Sequence, residues 1–305
     1  MLKEKLLDPA AGVLLYGTTP PRAGTPEDGV RLAAEKLSAR LKPLPVDGVV
    51  VYDIQDETGR TESPRPFPFT GTVDPRGYAK LLGQPTIVYK ALGSMDEPAW
   101  REWLDETAGQ HAPHFPLISV VGRPTSGVKH ALPLSRAIRI AAERCTVGGV
   151  VIAERHSAER SEAARLLAKG IEGCGYFISQ TIYHPEAIMR LLADYLRDCR
   201  GAGVQPRRVV LSFAPVGREK TMAFLEWLGV RVPPDLKESI LENANPLGKS
   251  IEVCRDNLRR ILEQPYAKEI PLGVSVESVS INRDEIDASI DLLHALHEVM
   301  NNPAR

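Results

Sequence analysis

The stretch Gly149–Gln180, GVVIAERHSAERSEAARLLAKGIEGCGYFISQ, decides the fold. It opens with a nearly continuous apolar run, Gly149–Glu154. A charged segment leads into Ser161–Ile171, where Ala164, Leu167 and Ile171 recur at helical spacing, and the stretch closes on a second apolar run, Gly175–Gln180. Short β-branched runs without a polar face suit parallel strands covered on both sides. The stretch therefore reads as a strand, a helix and a second, parallel strand.

The same alternation extends in both directions. Apolar runs occur at Gly12–Gly17, Gly48–Asp53, Thr86–Ala91 and Pro116–Gly122 before the stretch, and at Arg208–Ala214 and Leu272–Val279 after it. Between them, Glu27–Leu41 carries Val30, Ala33, Ala34, Leu37 and Leu41 at helical spacing. Pro185 opens a helix over Glu186–Arg200, and a last helix marked by Ile286, Ile290 and Leu293 follows Asn282, a good N-cap. Eight strand-then-helix units fit a (β/α)8 TIM barrel better than an open doubly wound sheet. With no composition break to mark a linker, residues 1–305 are expected to form a single TIM-barrel domain.

The chain has 305 residues, with 38 Lys plus Arg against 39 Asp plus Glu, and a formal net charge of -1. That balance gives no electrostatic case for nucleic acid or a membrane surface as partner. No apolar run is long enough to span a bilayer, and Met1–Asp8 lacks the continuous apolar stretch of a signal peptide. Cys145, Cys174, Cys199 and Cys254 are scattered without a C-x-x-C, as expected of reduced, mostly buried thiols. The expectation is a soluble cytoplasmic protein without a metal site.

Two connections are long. Ile54–Val73 contains Pro64, Pro66 and Pro68, and Arg231–Ile270 has room for two further helices. In a barrel, loops that follow strands lie on the catalytic face, although a Pro-rich loop also reads as a rigid surface excursion. Common chemical motifs are missing: no G-x-G-x-x-G follows a strand, and neither H-E-x-x-H nor G-x-S-x-G occurs. Asn243–Ser250 (NANPLGKS) ends like a phosphate loop but has Asn243 where the first glycine belongs and a helical segment before it. His294 and His297 read as surface residues of the last helix.

Polar residues gather at the strand ends instead. Asp53, Asp56 and Glu57 follow the second run, Arg123 the fourth, and Glu154 and His156 the fifth; Gln180 ends the sixth, and Glu277 lies within the eighth. Barrel closure would bring these ends together around one cavity.

In order and spacing, several segments resemble the methylenetetrahydrofolate reductase family, flavin-dependent (β/α)8 barrels. They are Leu15–Arg22 (LYGTTPPR), Ala153–His156 (AERH), Lys169 ahead of Ser179-Gln180, Ser212–Val216 (SFAPV), Gly229–Leu236 (GVRVPPDL) and Gly273–Asn282 (GVSVESVSIN). The resemblance covers nearly the whole chain and is strongest from about residue 116 to 290. It implies an oxidoreductase of one-carbon folate metabolism that passes hydride from NAD(P)H through FAD to the folate methylene group. Lys169 would then face the flavin phosphates, and His156 and Glu162 the ribityl or nucleotide portion. Gly122, Arg123 and Glu154 would lie beside the flavin, and Gln180 and Tyr183 at the pterin.

Three positions depart from the family pattern. Gly17 stands where the family places its catalytic glutamate, Arg123 replaces an aspartate beside the flavin, and Tyr52-Asp53-Ile54 replaces Thr-Tyr-Gly. A general acid must reach the reacting atom, so a substitute is expected from Asp53, Asp56 or Glu57, with Glu57 having the longest reach and Glu277 in reserve. Two alternatives stay open: a folate-linked methyltransferase or lyase on the same barrel, and a non-catalytic flavin- or folate-binding subunit. A homo-oligomer or a partner subunit is compatible with either.

Overall fold

Eight parallel strands close into a barrel in the computed structural model, which describes residues 1–56, 62–93, 95–111, 117–122 and 131–302. The strands are β1 (Leu14–Thr18), β2 (Gly48–Val51), β3 (Thr86–Ala91), β4 (Leu117–Val121), β5 (Val147–Val151), β6 (Cys174–Thr181), β7 (Arg208–Phe213) and β8 (Leu272–Glu277). Each pairs with its sequence neighbours, and β1 pairs with β8. The chain is a (β/α)8 TIM barrel.

The helices are α1 (Leu2–Leu7), α2 (Glu27–Leu41), α3 (Pro75–Leu82), α4 (Glu97–His111), α5 (Leu134–Ala142) and α6 (Glu162–Glu172). They continue with α7 (Pro185–Gly201), α8 (Glu219–Trp227), α9 (Pro234–Leu241), α10 (Pro246–Leu262) and α11 (Arg283–Asn301). Helices α9 and α10 are the two expected between Arg231 and Ile270. The segment resembling a phosphate loop is the start of α10, where the Asn245 side chain caps the helix by accepting from Gly248 N at 3.1 Å.

Two apolar assemblies share the strands. The outer one packs helices against the barrel, with Trp100, Phe177, Tyr195 and Leu292 fully buried. The inner one fills the barrel with Leu15, Val50, Ile87, Leu117, Tyr176, Ile178 and Val210. Both faces of the strands are therefore apolar, which is why the runs show no alternation.

Helix α1 joins the inner assembly through Leu2 and Leu6, and so closes the barrel at the N-terminal ends of the strands. A Cβ at Gly48 would lie 2.5 Å from Leu2 Cδ2, so the helix needs glycine there to approach β2. Arg208, at the start of β7, clamps this plug: it donates to Leu6 O at 3.1 Å, to Leu272 O at 2.6 Å and to Asp8 O. Its burial is supported by these three carbonyl acceptors.

Several expectations need correction. In α6 the buried face runs through Glu162, Ala163 and Leu166, whereas Ala164 is exposed and Ile171 is 67% exposed. The helical spacing holds, with Leu167 packed against the core, but the fully buried face is offset from it. The fifth strand ends at Val151, and Glu154 falls in a one-turn 3-10 helix, Ala153–Arg155, instead of on the strand. Asn282 sits at the N-cap of α11 without capping it; its amide donates to Glu285 Oε2 at 3.0 Å.

The described part of the Pro-rich loop is pinned from both sides. Thr72 bridges Arg22, and Ala23 N donates to Gly71 O at 2.7 Å. Across the barrel's C-terminal face, Trp227 Nε1 of α8 donates to Ser63 O at 3.2 Å. The loop is thus a strap over the end where the strand-end polar residues gather.

Candidate functional site

Strand register builds the centre of the site. Gly17 of β1 lies beside Glu277 of β8 in the parallel ladder. A Cβ at Gly17 would fall 1.9 Å from Glu277 Oε2, 2.7 Å from its Cδ and 2.9 Å from Tyr52 Cε2. The Glu277 carboxyl therefore occupies the space that a side chain at position 17 would need, and glycine is what admits it. Ser275, two residues earlier on the same face of β8, donates to Glu277 Oε1 at 2.8 Å.

Glu277 is buried. Burial holds its pKa above the ordinary 4.5, opposed by the nearby hydroxyls of Tyr52, Ser275 and Ser212, of which Ser275 makes the hydrogen bond. Tyr52 packs edge-on against Tyr89, with centroids 4.6 Å apart. Burial and the neighbouring carboxyl both push the Tyr52 phenol well above its usual value. These groups form a cup at the C-terminal end of the barrel: one carboxyl, phenols on one side and serine hydroxyls on the other.

Gln180 lies near the end of β6, two residues beyond the inward-facing Ile178, where the pairing of β6 with β7 shifts register. Its Nε2 donates to Leu228 O at 2.6 Å, while its Oε1 is buried with no hydrogen-bond partner. A buried amide oxygen left unpaired costs free energy, and a donor on a bound molecule would recover it.

The other expected acids are placed differently. Asp53 Oδ2 accepts from Ala91 N at 3.0 Å and pairs with Lys90 at 3.4 Å, and Gln55 donates to its Oδ1 at 2.8 Å. Asp53 thus ties β2 to β3. Asp56 is exposed. Glu57 and Arg123 lie outside the described residues. Beside the cup, a cavity of about 370 Å³ lies among Asp53, Gln55, Arg76, Tyr89, Lys90 and Trp103. Its cations are already paired, Lys90 with Asp53 at 3.4 Å and Arg76 with Asp74 at 2.6 Å.

The residues expected at a flavin are largely committed to one another. Glu162 N donates to His156 Nδ1 at 3.2 Å, so the other ring nitrogen carries the proton, and Nε2 donates to Asp194 Oδ2 at 2.9 Å. His156 therefore adds an acceptor at the first turn of α6, which Ser161 caps, and joins that turn to α7. Lys169 Nζ donates to Val150 O at 2.7 Å and faces buried Glu162 at 3.9 Å. Burial lowers the Lys169 pKa, which Glu162 opposes.

Burial pushes the Glu154 carboxyl up, opposed by nearby backbone N–H groups and by the charges of Arg155 and Arg231. The side-chain space at Gly122 is taken by Leu134, whose Cβ would lie 3.0 Å from an added Cβ. Flavin phosphates need free cations and donors; among the described residues, the His156 ring nitrogens are both engaged within the protein, and Lys169 is bonded to Val150 O. Tyr183 is fully buried in the outer assembly, where its hydroxyl donates to Ala214 O at 2.7 Å and lies 2.8 Å from Ser250 Oγ.

No helix among the described residues is long and apolar enough to cross a membrane, and no metal-binding cluster occurs among them. No family model matches the chain, and no curated protein matches it. Among solved structures, an uncharacterized protein from Clostridium thermocellum that binds two copies of 5-methyl-5,6,7,8-tetrahydrofolic acid is 30% identical, with a TM-score of 0.80, and the match covers 98% of this chain and 99% of that one. Dihydropteroate synthase from Xanthomonas albilineans, in complex with 7,8-dihydropteroate, is far more distant, at 13% identity and a TM-score of 0.47 over 98% of this chain and 97% of that one. N-(5'-phosphoribosyl)anthranilate isomerase from Pyrococcus furiosus stands at 12% and 0.46 over 94% and 100%.

Proposed function

The chain belongs to the family of the methyltetrahydrofolate-binding barrel from Clostridium thermocellum, and from that premise we propose that it binds a reduced folate at the C-terminal end of its barrel, with Glu277 as the proton-bearing group at the pterin. The observation that carries the reading is the Glu277 carboxyl buried in the space over Gly17. The family resemblance puts a catalytic carboxyl at position 17. Here β8 supplies a carboxyl to that space instead of β1.

A pterin ring presents an edge of donors and acceptors. The unpaired Gln180 Oε1 can accept from that edge, and a carboxyl that keeps its proton can donate to a ring nitrogen. One-carbon chemistry at a folate ring nitrogen requires a proton to be added or removed there as the carbon arrives or leaves. Glu277 suits that task, because burial favours its neutral form. Tyr52 and Tyr89 form an apolar wall that excludes water from the proton. This chemistry serves reduction and methyl transfer alike. The nicotinamide and flavin half of the reductase reading has no support from His156, Glu162 and Lys169, and no step is assigned to it.

Calorimetric titration with 5-methyltetrahydrofolate tests the proposal. The wild-type protein should bind, and Gln180→Ala should weaken binding about 10-fold through the lost acceptor. Proton exchange with buffer on binding should vanish in Glu277→Gln. A wild-type protein that takes up no folate at millimolar concentration refutes the reading.

A further inference from the structure

A guanidinium in an aromatic box lies at the edge of the site. Arg65, in the Pro-rich strap, has its Cζ 5.2 Å from the Phe69 ring centre, 5.5 Å from that of Phe224 and 4.9 Å from that of Trp227. Its Nε and Nη1 are buried with no hydrogen-bond partner. Lys220 Nζ stands 4.7 Å over Phe67, which packs edge-on against Phe224. Among the described residues no carboxylate lies within ion-pair distance of Arg65 or Lys220. Arg218, on the same stretch of chain, is already paired with Asp284.

Aromatic faces offset part of the cost of burying a guanidinium but make none of its hydrogen bonds. Two cations and four rings without a carboxylate form a place for an anion attached to an aryl group. The box also adjoins the cup. Trp227 contributes one wall, and the next residue, Leu228, gives its carbonyl to Gln180 Nε2 at 2.6 Å. A ligand held at Gln180 by one end therefore has the box within its course as it leaves the barrel.

A reduced folate has the matching second half: an aminobenzoyl ring followed by a glutamate with two carboxylates. Resting on the folate reading above, we propose that Arg65 and its aromatic box recognise the aryl-glutamate tail of the folate, with the ring against the aromatic side chains and a tail carboxylate on the guanidinium. The paired cations of the cavity beside the cup are spent within the protein, whereas Arg65 keeps two buried donors unpaired. The strap then serves as a specificity element that distinguishes a full folate from a bare pterin.

The test compares 5-methyltetrahydrofolate with a tail-less N5-methylated tetrahydropterin, titrated into wild-type protein, Arg65→Gln and Arg65→Lys. Wild type should bind the full folate more tightly. Arg65→Gln should weaken the full folate roughly 10- to 100-fold, the range for hydrogen bonds to a charged group, and leave the tail-less ligand within about 2-fold. Arg65→Lys should fall between, because it keeps the charge and loses the fork. Equal wild-type affinity for the two ligands overturns the proposal without any variant, and so does an equal loss of both in Arg65→Gln, which would make Arg65 only an anchor of the strap. Failure of wild type to bind either ligand refutes the folate reading itself, and with it this proposal.

Discussion

Adding one methyl group at Gly17 should disturb both stability and function. In Gly17→Ala the new Cβ meets Glu277 Oε2 at 1.9 Å and Tyr52 Cε2 at 2.9 Å, both far inside contact distance. The carboxyl must swing away and surrender the 2.8 Å hydrogen bond from Ser275, while the Tyr52 ring is held by Tyr89. Overpacking of this kind costs about 1–3 kcal/mol, and the lost hydrogen bond falls within that range. The same displacement removes the acid from the pterin, so folate binding should lose its proton linkage. Urea unfolding of wild type, Gly17→Ala, Glu277→Ala and the double variant forms a cycle. Deleting the Glu277 side chain relieves the worst contact, so Gly17→Ala should cost at least about 1 kcal/mol less in the Glu277→Ala background. A cost below about 0.5 kcal/mol in the wild-type background, with no coupling in the cycle, would refute the packing of Glu277 over Gly17.

The remaining predictions follow from the same geometry. Glu277 has its pKa raised in the folded protein, so its contribution to stability is full below the unfolded value near 4.5 and is lost as pH rises through the folded value. Glu277→Gln lacks that loss, and its urea midpoint should gain on wild type as pH climbs from about 4.5 and level off above the folded pKa; parallel curves would contradict the assignment. His156→Ala should lower stability by about 1–2 kcal/mol, because it removes the acceptor for Glu162 N at the first turn of α6 and the bond to Asp194; this is measurable by thermal unfolding without any ligand. We propose that residues 1–305 fold as one unit, since β8 pairs with both β7 and β1. A fragment 1–270 should then show no cooperative unfolding transition, and a cooperatively folded fragment would overturn this.

All eight strands were readable because each is a short β-branched run buried on both faces, and the helices between them carry plain periodicity. Helix α1 was not readable: six residues are too few to display a period, and what buries Leu2 and Leu6 is the open end of a barrel formed by distant segments. The gathering of polar residues at strand ends was also legible, but their orientation was not. Asp53 follows β2 and Glu277 ends β8, and only the three-dimensional arrangement shows that Asp53 turns to Lys90 and Ala91 while Glu277 leans over Gly17. The glycine at position 17 was itself the available signal, since a missing side chain marks room for a neighbour. His156, Lys169 and Tyr183 matched family positions in sequence, yet their polar atoms are engaged within the protein by partners such as Asp194, Val150 and Ala214. The Arg65 box could not be read because it joins the strap to α8, across 159 residues from Arg65 to Phe224.

The most direct test is a crystal structure of the protein with 5-methyltetrahydrofolate bound. The expected result places the pterin in the cup, with a donor on Gln180 Oε1 and a ring nitrogen within about 2.7–3.2 Å of the Glu277 carboxyl. A folate bound away from the C-terminal end of the barrel, or a pterin there that leaves Glu277 over Gly17 without contact, would contradict it.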